Sequence, residues 1–430
     1  MRVNTHIFRK LLFPILALCF LGCSGQDTMQ PDTNDTVVDS AQQMIQSMLR
    51  GINLGNTLEP DEEGGWNNGP AQEYYFDDYK TAGFSTVRIP VKWGSHTLDY
   101  PPYTIDPVWM NRVEEVVSWG MERDFYIILN AHHEGWIKED YSVENVERFE
   151  SIWHQISQRF QDYSRKLQFE MINEPHGLTK DQVDDLNTRV LEIIRITNPT
   201  RIVIYSGHEW SSIEQMMSAE ILDDEHLMAY WHSYDPWSFA GEGQGTWGTA
   251  ADVNNIATMF RNAAAWSAST NIPAMISEFG AVHDCEYNSR MRHYATYVEE
   301  ALRNNIPFQV WDDGGWFKIY ERDDRTWPEV KDILIYAHPD GPTDLSLERV
   351  SASMLKLSWR NRTTENDRIF VQRRIGDSGF EEIAELGSLA NEYQDTGLSE
   401  GILYTYRILS RLDSSSIYYS YPIRGWTNEG

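Results

Sequence analysis

Cysteine is scarce: the chain of 430 residues holds three. Two of them, Cys19 and Cys23, fall in the first stretch of the chain, which leaves Cys285 alone in the body. That excludes a disulfide framework, and Cys285 is expected to be an unpaired bystander rather than a reactive thiol. Positive charge is also short. Lys and Arg total 36 against 65 Asp and Glu, a formal net charge of -29. With no basic stripe to offset it, such a surface repels nucleic acid and leaves an uncharged polymer as a compatible partner. Long apolar runs are missing beyond Leu11–Phe20, which is itself too short to cross a bilayer as a stable helix. There is no internal repeat.

The start of the chain has the parts of an export signal. Arg2, Arg9 and Lys10 precede the apolar run, and Leu21-Gly22-Cys23-Ser24 follows it. This last stretch resembles a bacterial lipobox with Cys23 as the lipidated residue. The expected product is secreted across the inner membrane and lipid-anchored to a bacterial membrane, periplasmic or cell-surface. On this reading residues 1–22 are the signal peptide. The polar, acidic segment 23–40 is a disordered tether.

From 41 to 338 short apolar runs alternate with helical patterns. The runs centre on Ile52, Val87, Ile127, Phe169, Val203, Met228, Ile276 and Val310. Between them lie stretches of helical period such as Asp106–Arg123 and Asn145–Tyr163. Alternating strand and helix over such a length predicts an α/β protein, a (β/α)8 TIM barrel. Most runs end in a residue able to bind sugar or do chemistry: Asn53, Arg88, Asn130 with His132, Asn173 with Glu174, His232 with Tyr234, Glu278 and Trp311. Barrel enzymes place their sites at the carboxyl ends of the strands. An unpaired polar group there would cost about 1–3 kcal/mol, so repeated placement points to a site.

Turn formers at Pro339-Asp340-Gly341-Pro342 mark a boundary. Residues 340–430 then show strands of period two, at Met354–Trp359, Ile369–Arg373 and Tyr404–Ile408. A C-terminal β-sandwich is expected. Its early Trp359 and its Leu398 with Tyr404 and Tyr406 resemble a fibronectin type III domain. It lacks a catalytic cluster, so a spacer or barrel-docking role is preferred to glycan binding.

Two carboxylates carry the chemistry. Asn173-Glu174-Pro175 and Ser277-Glu278-Phe279-Gly280 each end a strand. Glycoside hydrolysis needs one carboxylic acid to protonate the leaving oxygen and one carboxylate to attack, or to activate water at, the anomeric carbon. Carboxyl groups about 5 Å apart give retention, and about 6.5–9.5 Å gives inversion. Sequence leaves that choice open.

Seven motifs in order now carry a resemblance: Gly51-Ile52-Asn53-Leu54-Gly55-Asn56-Thr57-Leu58-Glu59, Val87-Arg88-Ile89-Pro90-Val91, Asn130-Ala131-His132-His133-Glu134, Asn173-Glu174-Pro175, His232-Ser233-Tyr234-Asp235-Pro236-Trp237, Ser277-Glu278-Phe279-Gly280 and Trp311-Asp312-Asp313-Gly314. Together they resemble glycoside hydrolase family 5, the cellulase family. The resemblance implies a retaining enzyme with Glu174 as acid/base and Glu278 as nucleophile. It implies that Arg88 lies beside the nucleophile, where its charge would lower the Glu278 pKa. Asn173 would bind the sugar 2-hydroxyl, Tyr234 the nucleophile, and His132 and His232 would orient sugar and carboxylates. Trp311 would floor the sugar on the non-reducing side.

Other residues have weaker signals. His133 joins the substrate-binding candidates, and Trp210 is a binding platform or a core ring. Trp237 and Trp247 flank a Gly-rich loop and are expected to serve a ligand. His132, His133 and His232 could suggest a metal, but the hydrolysis needs none, so no metal or other cofactor is expected. Asp312-Asp313 are expected at the groove edge, and Asp61-Glu62-Glu63 as a solvated loop. The implied activity is endo-β-1,4-glucanase on cellulose or related β-glucans, by a monomer. An endo-β-1,4-mannanase, a xyloglucanase or lichenase, and a non-catalytic glycan-binding surface lipoprotein are the alternatives.

Overall fold

A computed structural model describes residues 41–362, 368–411 and 416–428. The expected signal peptide, Cys23 and the tether lie outside the described residues. Among those described, no helix is long and apolar enough to cross a membrane.

Eight parallel strands close into a barrel in sequence order. They are β1 (Arg50–Asn53), β2 (Thr86–Ile89), β3 (Tyr126–Asn130), β4 (Leu167–Glu170), β5 (Val203–Tyr205), β6 (Leu227–Ser233), β7 (Ala274–Phe279) and β8 (Phe308–Val310). Each predicted run supplies one strand. Side chains alternate across a strand, and the two faces have different work. Ile52, Val87, Ile127, Leu129, Phe169, Val203, Trp231, Ile276 and Val310 face outward into the apolar layer under the helices. Ile128, Ile204, Met228, Tyr230 and Met275 form a separate cluster with Ala41, Met44, Ile45 and Met48. That second cluster shows how the barrel base is filled. The helix Ala41–Met48 turns its apolar side into it, and Gln168 donates its amide to the Met48 sulfur at 3.1 Å. At β1 the fit demands glycine: a Cβ on Gly51 would lie 1.4 Å from the Gln309 side-chain oxygen.

The inner face changes character toward the carboxyl ends. Asn53, Arg88, Asn130, Glu170, Asn173, His232 and Glu278 are all buried there. A buried polar layer over an apolar plug positions the site.

The remaining chain forms two antiparallel sheets. One holds β9 (Thr343–Ser351), β10 (Met354–Arg360) and, following β11 (Arg368–Ile375) and β12 (Glu381–Leu386) in the chain, β13 (Glu392–Thr396). The other joins β11 and β12 to β14 (Leu403–Arg411), β15 (Ile417–Tyr419) and β16 (Ile423–Trp426). Leu355, Leu357, Trp359, Ile369, Val371, Tyr404, Tyr406 and Ile408 are buried between them, as the period-two pattern requires. These sheets dock on the barrel. Arg407 pairs with Asp332 at 2.7 Å, and Arg374 with Glu329. Asn288 exchanges two hydrogen bonds with the Arg424 backbone, 2.9 and 2.8 Å long. Tyr418 stacks on His338 with ring centroids 4.5 Å apart, and Tyr419 meets Tyr336 at 4.9 Å. Truncation after residue 339 therefore strips cover from Tyr336 and His338 but touches no barrel strand. The expected outcome is a folded barrel with a thermal midpoint lower by roughly 5–10 °C, measured by calorimetry, since about 1 kcal/mol moves a domain of this size by some 2–4 °C. An unchanged midpoint would mean that the docking contacts contribute nothing to stability.

Candidate active site

Arg88 is the hub of the barrel mouth. It is the penultimate residue of β2 and has no exposed surface. Its Nε and Nη2 donate to the two Glu170 oxygens at 2.8 and 2.6 Å. Nη1 donates to Glu278 Oε1 at 2.6 Å and to Asn53 Oδ1 at 2.8 Å, and Nη2 also reaches Asn173 Oδ1 at 2.7 Å. A planar fork with five donors suits this sharing, and a lysine could not reproduce it. Asn53 in turn donates to Ser277 O and Val310 O, at 2.9 and 3.1 Å, so β1, β7 and β8 are tied at the same level.

Glu278 reaches Arg88 through an irregularity in β7. Against β6, Trp231 pairs with Ile276 but His232 pairs with Glu278; against β8, Ile276 pairs with Phe308 but Phe279 with Val310. β7 thus carries one extra residue between Ile276 and Phe279, a β-bulge. Strict alternation would turn Ser277 inward and Glu278 away. The bulge lets both face the mouth: Ser277 Oγ meets His232 Nε2 at 3.0 Å, while Glu278 meets Arg88. Tyr234 completes the nest by donating its hydroxyl to Glu278 Oε2 at 2.9 Å.

Glu174 follows β4 in a left-handed backbone conformation, φ 40°. Such a conformation costs a non-glycine residue on the order of 1–3 kcal/mol and has to be imposed by its surroundings. Tyr230 imposes it from β6. Its hydroxyl accepts the Glu174 N–H at 3.1 Å and donates to Ile172 O at 2.6 Å. His232 Nδ1 donates to Glu174 Oε1 at 2.7 Å and lies 3.6 Å from Glu278 Oε2. One oxygen of Glu174, one of Glu278 and a His232 nitrogen lie within 4.8 Å of one another. That is close to the spacing of double displacement and shorter than the span of an inverting site.

The charges are coupled. Burial lifts the Glu278 carboxyl above its ordinary value, and the neighbouring Glu174 adds to this; His232 and Arg88 oppose it without prevailing. The expected lowering by Arg88 is present, although the net direction is upward. The guanidinium does pull downward, but desolvation in the barrel mouth is larger. Burial also lifts Glu174, yet the His232 hydrogen bond and charge, with Lys138 and Arg88, draw it back below its ordinary value.

Several contributors escaped sequence reasoning. Glu170 looked like one more strand residue, yet it holds Arg88 bidentately and accepts from Asn130 Nδ2 at 2.9 Å. Lys138 is buried with its Nζ on His132 O at 3.1 Å, and burial pushes it down to about 8. Burial pushes Glu59 up to about 8, and its Oε1 stands 3.7 Å from His132 Nε2. Glu59, His132 and His133 could each offer an atom to an ion. However, the Asn130 amide donates to His132 Nδ1 at 3.0 Å, which puts the ring hydrogen on the nitrogen that faces Glu59.

The aromatic candidates divide. Trp311 lies parallel to His132, with centroids 5.9 Å apart and planes 8° from each other. His133 is exposed and stands perpendicular to His132 at 4.5 Å. Trp210 is 59% exposed and stacks on His176, whose Nδ1 donates to Glu174 O at 2.9 Å. Trp237 is exposed with its ring edge-on to Tyr234. Trp247 is a correction: it is 6% exposed and packs edge-on against the buried His293, so the Gly-rich loop turns this ring into the core. Asp312 is also misplaced by sequence. It is fully buried and accepts the Ile319 N–H at 3.0 Å, so it braces the loop from within. Glu63 is no loose acid either, because it grips Arg112 and accepts the Ala71 N–H at 2.8 Å.

Comparison with known proteins agrees with this geometry. Residues 38–315 match the sequence model of Cellulase (glycosyl hydrolase family 5). The chain belongs to glycosyl hydrolase family 5. Among its relatives in the family, Endoglucanase H of Acetivibrio thermocellus is 44% identical over 304 residues, which is 69% of this chain and 33% of that protein. Endoglucanase B of Ruminococcus albus is 32% identical over 346 residues, 72% of this chain and 84% of the relative. The chain thus spans a third of the first relative and most of the second. A tri-modular family 5 (subfamily 4) endo-β-1,4-glucanase from Bacillus licheniformis, solved with cellotetraose, superposes with a TM-score of 0.74 at 29% identity. It covers 89% of this chain and 79% of its own, a share that the barrel alone does not reach. Cel5A of Thermotoga maritima, solved with mannotriose, gives a TM-score of 0.66 at 30% identity, covering 68% and 99%.

The Tyr230 clamp gives a test within this family 5 site. Tyr230→Phe removes both Tyr230 hydrogen bonds to the Ile172–Glu174 turn and leaves the apolar cluster filled. The expected result is a folded protein whose kcat falls about tenfold with little change in KM, a loss of roughly 1.4 kcal/mol. Unchanged kcat in steady-state assays would show that the turn holds itself.

Proposed function

We propose that the protein is a retaining endo-β-1,4-glucanase with Glu278 as nucleophile and Glu174 as acid/base. The approach of the two carboxylates to within 4.8 Å carries the reading. In the first step Glu278 attacks the anomeric carbon and forms a glycosyl ester. Glu174 gives its proton to the departing glycosidic oxygen as that bond breaks. In the second step Glu174 takes a proton from water, which attacks the same carbon and releases Glu278.

The first step requires the proton on Glu174, against the order in the protein without substrate, where burial raises Glu278 and His232 lowers Glu174. Two donors, Arg88 Nη1 and Tyr234 OH, address Glu278 and favour its anion. His232 occupies only one oxygen of Glu174 and leaves the other to carry the proton. Asn173, fixed through Arg88, is placed to hydrogen-bond a sugar hydroxyl. Trp311, Trp210 and Trp237 supply flat apolar faces for pyranose rings. The names of the relatives support glucan as substrate. The mannotriose in the Thermotoga structure supports mannan as a second substrate of the scaffold.

Glu278→Ala is expected to abolish release of reducing sugar from carboxymethyl cellulose and lichenan while the far-ultraviolet spectrum stays native. Glu174→Ala is expected to slow the polysaccharide about 10²–10⁴-fold, and aryl cellobiosides with good leaving groups far less, because these need no proton. Equal losses on both substrates would refute the acid role. An α-configured first product in proton NMR would refute retention.

The ends of the chain extend the proposal. Cys23 is the lipid attachment site, and it holds the enzyme at a bacterial membrane, periplasmic or cell-surface. The two C-terminal sheets form a fibronectin type III-like module that docks on the barrel. Cys23→Ala is expected to abolish palmitate labelling and move the protein from the membrane fraction to the soluble one; a labelled variant would contradict this.

A further inference from the structure

Behind the loop that carries Glu174 stands a buried cation with no anion in contact. Lys138 lies on the short helix Gly135–Glu139 that follows β3, and 3% of it is exposed. Its Nζ donates to His132 O at 3.1 Å. Among the described residues it forms no ion pair within 4.0 Å. Glu134, one turn earlier, is already met by Trp93 N at 2.7 Å, Gly94 N at 3.0 Å and Trp136 Nε1 at 2.7 Å. Glu139 beside it is exposed. An ammonium taken out of water onto a single carbonyl is costly, and a methionine would fill the same space without that cost. Packing alone therefore gives no reason for the charge.

The backbone brings this cation against the Glu174 loop. Gly177 has φ +85°, and a Cβ there would lie 2.7 Å from Lys138 O. Burial pulls the ammonium down to about 8, and of the carboxylates that oppose this Glu174 acts most strongly, ahead of Glu134 and Glu278. In return, Lys138 follows His232 among the groups that draw Glu174 down against its burial. The other cation of the mouth, Arg88, is paired with Glu170 and Glu278. Burial, with the charge of Lys138 added, holds His132, His133 and His176 below their ordinary value, so these rings are neutral near pH 7. Burial also keeps Tyr234 protonated. That leaves Lys138, with His232, to face Glu174.

The second step of the reaction needs such a charge. Once Glu278 is bound as an ester it carries none, and Glu174 has to be an anion to take a proton from water. We infer that Lys138 is a positioning residue for this step, favouring the Glu174 anion through its field with no ion pair between them. A sugar over the mouth excludes water, and a charge acts more strongly in such a medium.

This role rests on the double-displacement reading, and the test separates the two. With dinitrophenyl cellobioside the first step needs no acid, so turnover reports the second step. The acidic limb of the kcat–pH profile then follows protonation of Glu174. In Lys138→Gln and Lys138→Met that limb is expected about one pH unit higher than in the native enzyme. On the limb kcat should fall about tenfold, while the plateau at higher pH holds. Gln keeps a donor for His132 O and Met does not. A shift in Lys138→Met alone would assign the effect to that hydrogen bond, and a lowered plateau with an unmoved limb would assign it to structure; either would overturn the role. A second measurement needs no Lys138 variant. In Glu174→Gln the Lys138 ammonium, followed by NMR of its Cε carbon, is expected to lose its proton at lower pH than in the native protein, because the anion that favours it is gone. An unchanged titration would overturn the coupling and leave double displacement standing. If the native enzyme forms no covalent adduct with a 2-fluoro cellobioside, double displacement falls and this role falls with it.

Discussion

One buried cation organises the barrel mouth. Arg88 has no exposed surface, and its fork meets Glu170, Glu278, Asn53 and Asn173 at once. Taking an arginine out of water is costly, and removing one partner of a buried ion pair typically costs about 3–5 kcal/mol. The cost is offset here because Glu170 takes two donors and Glu278 another. The arrangement explains why so many strand ends carry polar residues. Each one satisfies a neighbour, and Asn130 and Asn53 extend the network to β3, β7 and β8. A rigid network of this kind also does chemical work, since it holds Glu278 in one orientation before substrate arrives.

Two local irregularities then convert the network into a reactive pair. The extra residue in β7 turns Glu278 and Ser277 to the same side. The left-handed backbone at Glu174, held by Tyr230, swings the second carboxylate toward it. Neither feature stabilises the fold. They persist because the barrel around them is closed and the apolar cluster beneath Tyr230 is complete. His232 couples the two features directly, since its Nδ1 meets Glu174 and its Nε2 meets Ser277.

The barrel was legible because its signal is repeated: eight short β-rich runs, each followed by helical period, leave few other folds. The candidate catalytic carboxylates, Glu174 and Glu278, were legible as strand-end residues in motifs. What stayed hidden were groups whose role depends on partners far away in the chain. Glu170 looks like an ordinary strand residue until Arg88 is seen beside it. Tyr230 reads, with Trp231, as one of a pair of aromatics on β6. Trp247 and Asp312 failed for the opposite reason: a Gly-rich or acidic stretch suggested exposure, but the loop folded inward. Period and composition report which face of a strand is apolar, and they are silent about which way an irregular loop turns its rings.

The apolar plug at the barrel base has a consequence for biogenesis. The helix Ala41–Met48 leaves the ribosome before any strand, yet its seat is made by Ile128, Ile204, Met228 and Met275. During vectorial synthesis its apolar side must wait, uncovered, until Met275 has emerged. Contacts of such sequence separation slow folding and lengthen the exposure of sticky intermediates. Until Met275 arrives the barrel lacks its floor and stays loose.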